Sequence, residues 1–278
     1  MGHRTAKYFV DFSATIKTVK TEQRRIGLAR ALSKLGYCSR SRAAEFIRKG
    51  RVRLNGALRR DPETPVHLQK DRIEVDGVLV ELGRKIYLMM NKPRGLLTTA
   101  ADEKGRDTIY SLLQSDDAMP WLAPVGRLDK ASEGLMLLTN DSEWAARVTA
   151  PETHLKKTYH VQIGRVADKA VIEAMRSGIS TNEATLTARQ CRMIRSGEKN
   201  SWLEIVLDEG RNRQIRRMLA SLDIEILRLV RVAIGPLQLG NLKKGSYRAL
   251  TLNEKLALDH AMKLKSSVRH PGSKSPLL

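Results

Sequence analysis

The chain has 278 residues, with 50 Lys and Arg against 30 Asp and Glu, a formal charge of +20 and a pI near 10.2. That length suits a main domain with a smaller companion and tails, and that charge points to a polyanion, nucleic acid before membrane surface, rather than a neutral metabolite. No run approaches the roughly 18 apolar residues of a spanning helix, so a soluble chain without a membrane partner is expected. The start, MGHRTA, has Ala6 where a myristoylation signal needs Ser or Thr, and lacks the apolar stretch of a secretory signal. Residues 1–25 read as a basic, disordered tail, with Asp11 and Glu22 arguing against a transit peptide. The two cysteines, Cys38 and Cys191, have no CxxC partner. Their isolation predicts neither a metal site nor a disulfide, and suits a reducing cytoplasm.

Between Ile26 and Arg60 lie ten Lys and Arg and one acid, Glu45. Leu28, Leu32 and Leu35, then Ala43, Phe46 and Ile47, recur at helical spacing and predict two short helices. Gly36 is placed to end the first, Ser39 or Ser41 to cap the second and Gly50 to close it. Val52 and Leu54 before Asn55-Gly56, and Ile73 and Val75 before Asp76-Gly77, are hairpin signals. Residues 26–82 are therefore expected to form a helix, helix, small-sheet module. Arg40, Arg42, Arg48, Lys49, Arg51 and Arg53 would cluster on and around its second helix and track phosphates.

Beyond Gly83, strands are expected at Ile86 to Met90, Gly134 to Thr139, Tyr159 to Ile163, Trp202 to Leu207 and Ile224 to Val232. Asp168 is placed to cap a helix carrying Val171, Ile172 and Met175, and Asn212 one carrying Ile215, Met218, Leu219 and Leu222. Thr251 and Glu254 form a capping box before a terminal helix. The expectation is a mixed α+β domain over residues 84–262 and a basic, disordered tail over 263–278. A monomer is the default reading.

Three segments hold the candidate chemistry. GRLDKASEGLMLLTND, Gly126 to Asp141, sets Asp129 in a Gly-flanked basic loop before an apolar strand, where a rigid scaffold can display a carboxylate at a cleft. KTY supplies Tyr159 and Lys157, and DEGRNRQIRRM supplies several guanidiniums. Arg216 flanks the apolar face of Ile215, Met218 and Leu219, so it should point inward and need an acidic partner, for which Asp129 is a candidate. Arg211, Arg213 and Arg217 are left outward for RNA. Lys92 and Arg94 in NKPRG, with Lys157, are candidate phosphate contacts. Each has a plainer reading: a loop Asp is commonly a solvated turn residue, a strand Tyr a packing residue, a charge run a solvated face.

RIGLARALSKLGYCSRSRAAEFIRKGRVRLNG resembles the RNA-binding domain shared with the fourth small-subunit ribosomal protein, the S-four domain. From about Ile26 to Leu250 the chain resembles the RsuA-like family of ribosomal RNA pseudouridine synthases, in KIYLMMNKPRGLLTT, VGRLDKASEGLMLLTND, KKTYHV and LDEGRNRQIRRM, which appear in the family's order. The resemblance implies a mixed, largely antiparallel-sheet synthase domain with Asp129 as the catalytic Asp, Tyr159 against the target base and Arg216 paired with the carboxylate. Arg127 would hold the opened RNA or its phosphate. It further implies ribosomal RNA or a subunit precursor as partner, the large subunit before the small, and no cofactor.

Those residue types suit the chemistry. Isomerising uridine breaks the bond from the anomeric carbon to ring nitrogen, turns the uracil, joins carbon 5 and removes a proton. A carboxylate serves as nucleophile or as base on the sugar, a paired Arg keeps it ionised, and an aromatic supports a base drawn from its stack. Nucleophile and base remain open alternatives. Two other classes compete: a noncatalytic RNA-binding or ribosome-assembly factor with a synthase-like fold, and a DNA-binding regulator, which draws only on charge and two short helices.

Overall fold

A computed structural model describes residues 25–81, 83–99, 105–113, 120–181 and 183–263. The tails expected at 1–25 and 263–278 fall outside these, apart from residues 25 and 263. The chain divides into two compact units. The first runs up to Lys130 and regains the chain at Met136–Ala145 and Leu242–Leu252; the second takes Ala131–Leu135, Ala146–Asn241 and the chain from Asn253. The architecture is mixed α+β, as the element pattern implies.

In the first unit, helices Leu28–Lys34 and Arg40–Arg48 bury Leu28, Leu32, Ala43 and Ile47 in one apolar cluster with Val52, Leu54, Val66, Ile73 and Val75. Ser39, one of the two residues expected to cap the second helix, accepts from Arg42 N at 3.2 Å. A four-stranded antiparallel sheet runs Ala57–Arg59, Val52–Leu54, Ile73–Val75, Val78–Leu79. Its two tight turns place Asn55 and Gly56 at φ 52° and 80°, and Asp76 and Gly77 at 51° and 80°. Positive φ at both central residues is the twist-matched hairpin turn that Asn-Gly and Asp-Gly favour.

The same unit holds strand Tyr87–Lys92, paired antiparallel with Tyr247–Ala249. Asn140 ties the approach to that strand, accepting from Ile86 N at 2.8 Å and donating to Arg84 O at 2.8 Å. The helical module is joined to this region by Trp121 N donating to Gly36 O at 2.9 Å and by Lys34 with Glu143 at 2.8 Å.

The second unit is built on antiparallel strands in the order Gln190–Ser196, Ser201–Leu207, Lys157–Ile163, Ile226–Ile234. Ile226–Ile234 also pairs in parallel with the start of Glu133–Thr139, Val230 opposite Glu133 and Arg231 opposite Gly134. Gly134 has φ 102°, and a Cβ there would stand 2.3 Å from the Arg231 carbonyl oxygen, so the close approach requires glycine. Asp168 caps helix Lys169–Ser177, its carboxylate accepting from Val171 N at 2.8 Å.

Two expectations are corrected here. Asn212 does not cap helix Gln214–Ala220: the cap position is Arg213, in the left-handed region, with no side-chain cap bond. Gln214 closes the entry instead, accepting from Arg211 N at 3.3 Å, and the helix ends before Leu222. The strand expected from Ile224 starts at Ile226, because Asp223 at φ 53° turns the chain first.

Candidate active site and RNA-contact residues

The Asp129 loop lies in the first unit and is held by its main chain. Leu128 is buried; its carbonyl accepts from Thr98 Oγ1 at 2.8 Å, and its N–H donates back at 3.3 Å. The Asp129 carbonyl accepts from Lys92 Nζ at 3.3 Å and the Lys130 carbonyl from Gly95 N at 2.8 Å. Three consecutive carbonyls are thus tied to the 92–98 segment, leaving the side chains to project. Asp129 is half-buried; Arg127 and Lys130 are exposed. Among the described residues Arg127 makes no hydrogen bond or ion pair, so its guanidinium is available to a ligand.

This corrects the reading of Lys92 as a phosphate contact. Lys92 is 0% exposed, and its ammonium donates to the Pro93 and Asp129 carbonyls at 3.1 and 3.3 Å. It braces the loop from within. Arg94, two residues on, is exposed.

Tyr159 and Arg216 lie in the second unit. Tyr159 is buried on strand Lys157–Ile163, opposite Ile205 on one neighbour and Arg231 on the other. Its hydroxyl makes no hydrogen bond among the described residues. Lys157, two positions back on the same side of the strand, is pushed down to about 8 by burial and then by the charge of Arg231, with Asp208 acting the other way. Arg231 is 6% exposed; its Nε donates to Leu135 O at 2.7 Å, while its Nη2 is buried without a partner. No motif marks Arg231, yet its signal is legible in the sequence: in LRLVRVAI it shares the inward parity of Leu229.

Arg216 is half-buried on helix Gln214–Ala220, whose Ile215, Met218 and Leu219 face the core. Its Nη2 donates to Ala131 O and Ser132 Oγ, each at 3.1 Å. The neighbouring arginines diverge from it. Arg217 pairs with Glu183, Arg211 pairs with Glu209 at 2.9 Å, and Arg213 is exposed.

In the N-terminal module all six expected cations are exposed. Lys49 pairs with Glu45 at 2.6 Å, Arg51 pairs with Asp76, and Arg53 donates to Gly56 O at 2.9 Å. Arg51 and Arg42 lie over the Phe46 ring, 4.3 and 5.4 Å from its centroid. Arg40 and Arg48 hold no ion pair among the described residues.

The model of the RNA pseudouridylate synthases matches residues 86–221, and that of the S4 domain matches residues 26–73. A protein of Aquifex aeolicus described as an uncharacterized RNA pseudouridine synthase is 37% identical over 235 residues, 84% of this chain and 94% of that one. The ribosomal large subunit pseudouridine synthase B of Bacillus subtilis is 32% identical over 229 residues, 82% of this chain and 93% of its own. The crystal structure of a pseudouridylate synthase matches with a TM-score of 0.59 at 29% identity, covering 85% of this chain and 100% of that one. Fold, basic module and relatives define an RNA-modifying isomerase. The chain belongs to the RNA pseudouridine synthase family, in its RsuA-like branch.

Proposed function

We propose that this enzyme isomerises a particular uridine of ribosomal RNA, in the large subunit, with Asp129 acting on a nucleotide drawn out of its stack. Residues 26–82 dock the RNA and residues 84–262 carry the chemistry, in the cytoplasm, as a monomer without metal or cofactor. The observation that carries this reading is the clamp on the Asp129 loop. Lys92, Gly95 and Thr98 hold the carbonyls of residues 128–130, and Arg216 bonds Ala131 and Ser132, two and three residues past the acid. Such bracing suits a carboxylate that must meet one sugar carbon with little reorganisation. Arg216 steadies the main chain that follows the acid, Tyr159 supports the everted ring, and Arg127 takes the place or phosphate it leaves. The large-subunit preference draws on the Bacillus subtilis relative.

The test uses unmodified, transcribed ribosomal RNA carrying tritium at uracil carbon 5. The wild type releases tritium and Asp129→Asn does not, while both bind the RNA. Normal release by Asp129→Asn would sink the assignment. Pseudouridine mapping in cells with and without the gene names the uridine: one lost large-subunit site is expected, and a lost small-subunit site would move the substrate.

A further inference from the structure

The second unit sets a buried arginine, Arg231, beside a half-buried lysine, Lys157, without an ion-paired acid. Arg231 is 6% exposed, one guanidinium nitrogen bonds the Leu135 carbonyl, and Nη2 meets no acceptor. Among the described residues no carboxylate lies within ion-pair distance of it, and the Lys157 ammonium makes no hydrogen bond or ion pair. Asp208, the acid acting on Lys157, is engaged by Arg189 at 2.8 Å. Burying an uncompensated charge is costly, and the cost is recovered when an anion arrives in the same low-dielectric site. Both cations flank Tyr159: Arg231 is its cross-strand partner and Lys157 its neighbour on the same side of the strand.

We infer that Arg231, assisted by Lys157, seats the negative charge that appears on the uracil ring when its bond to the sugar opens, an inference that rests on the reading that Tyr159 receives the target base. As the bond from C1′ to N1 breaks, its electron pair leaves with the ring, and the charge spreads over N1, O2 and O4. The electron-poor sugar carbon meets the Asp129 carboxylate or loses its neighbouring proton to it. The ring turns and C5 supplies the pair for the new bond to C1′, as the Asp129 oxygen leaves C1′ with its own pair or, by the other route, as C2′ takes its proton back from Asp129; the C5 proton then departs and N1 takes up a proton. Arg231 is a group that acts only while the ring is detached, which is where preorganised charge accelerates a reaction. The same chemistry could serve a phosphodiester of the RNA strand. Depth decides against it: a guanidinium this buried is reached by the edge of an inserted base, not by a backbone that stays at the surface.

The experiment separates the two sources of charge. Wild type, Arg231→Gln, Arg231→Lys and Lys157→Met are compared in single turnover on tritium-labelled transcribed ribosomal RNA, reading the saturated rate, the half-saturating enzyme concentration and thermal stability. For Arg231→Gln the saturated rate falls about 10²–10³-fold while half-saturation moves less than about threefold. Arg231→Lys recovers much of the rate, and Lys157→Met, which leaves the Leu135 bond intact, shows a smaller fall in the same parameter. A shift in half-saturation at an unchanged saturated rate would assign the site to phosphate and overturn the inference, as would unchanged values throughout. Should Arg231→Gln fail to fold, Arg231→Lys and Lys157→Met decide alone. A wild type that releases no tritium defeats the isomerase reading itself, an outcome distinct from a competent wild type with unaffected variants.

Discussion

The ammonium of Lys92, without exposed surface, donates to the main-chain carbonyl of Asp129 at 3.3 Å. A cation inside the protein therefore fixes the height of the loop whose side chain we propose as catalytic. Lys92→Met keeps the apolar stem and removes the donor, leaving two carbonyls short of a partner. We expect a stability loss of about 1–3 kcal/mol, read by urea unfolding, together with a lower saturated rate of tritium release. Full activity in Lys92→Met would mean the loop needs no such brace.

Gly134 faces Arg231 across a parallel pairing, with φ 102° and room for no Cβ. Gly134→Ala must either push the Arg231 backbone away or abandon its own conformation. A loss of about 3 kcal/mol or more is expected from the strain and the broken pairing together. Denaturant titration checks it, and a wild-type midpoint would contradict the close approach.

Lys157 gives a pH dependence whose sign follows from its depressed value of about 8. As pH falls below 8 the folded protein must protonate a desolvated amine; between about 8 and the ordinary value near 10.5 the unfolded chain binds the extra proton. Folding stability attributable to this group therefore rises from pH 8 to 10.5, by about 1–2 kcal/mol after discounting for solvent screening. Lys157→Met should flatten that rise in chemical denaturation at stepped pH. A ligand anion favours the charged amine, so the contribution of Lys157 to the reaction should fade above pH 8, and the wild-type rate should converge on that of the variant.

The exposed arginines Arg40 and Arg48 predict a salt effect. Replacing both with Gln should weaken RNA binding without altering the saturated rate, and make the plot of log affinity against log salt shallower by up to about 1 for each phosphate no longer neutralised. Filter binding at stepped salt reads the slope. An unchanged slope would move the docking face elsewhere on the module.

Both thiols, Cys38 and Cys191, are buried and pushed up to about 11 by that burial. Labelling by a thiol reagent at neutral pH should be slow in the native protein and fast in urea, since the thiolate is the reactive form. Rapid labelling of either native thiol would show that its segment opens.

Much of the fold is legible in residue order. Helical spacing of Leu28, Leu32, Ala43 and Ile47 locates the first core, and Asn55-Gly56 and Asp76-Gly77 locate its turns, because local sterics govern both. Asp129, Tyr159 and Arg216 stand out because their motifs have an order and a chemistry that one chain displays without being folded.

Other features require the third dimension. Charge alone puts Lys92 on the surface with Arg94, and only the fold reveals it turned inward to the Asp129 carbonyl. Asn212 is the natural cap by type, yet Gln214 reaches back to the entry first. The sequence by itself determined which residues are apolar, charged or turn-forming, and so the elements and the candidate chemistry. Tertiary structure decided which charges lie in water and which, like Arg231, lie buried beside another cation, because desolvation and pairing depend on neighbours that are remote along the chain.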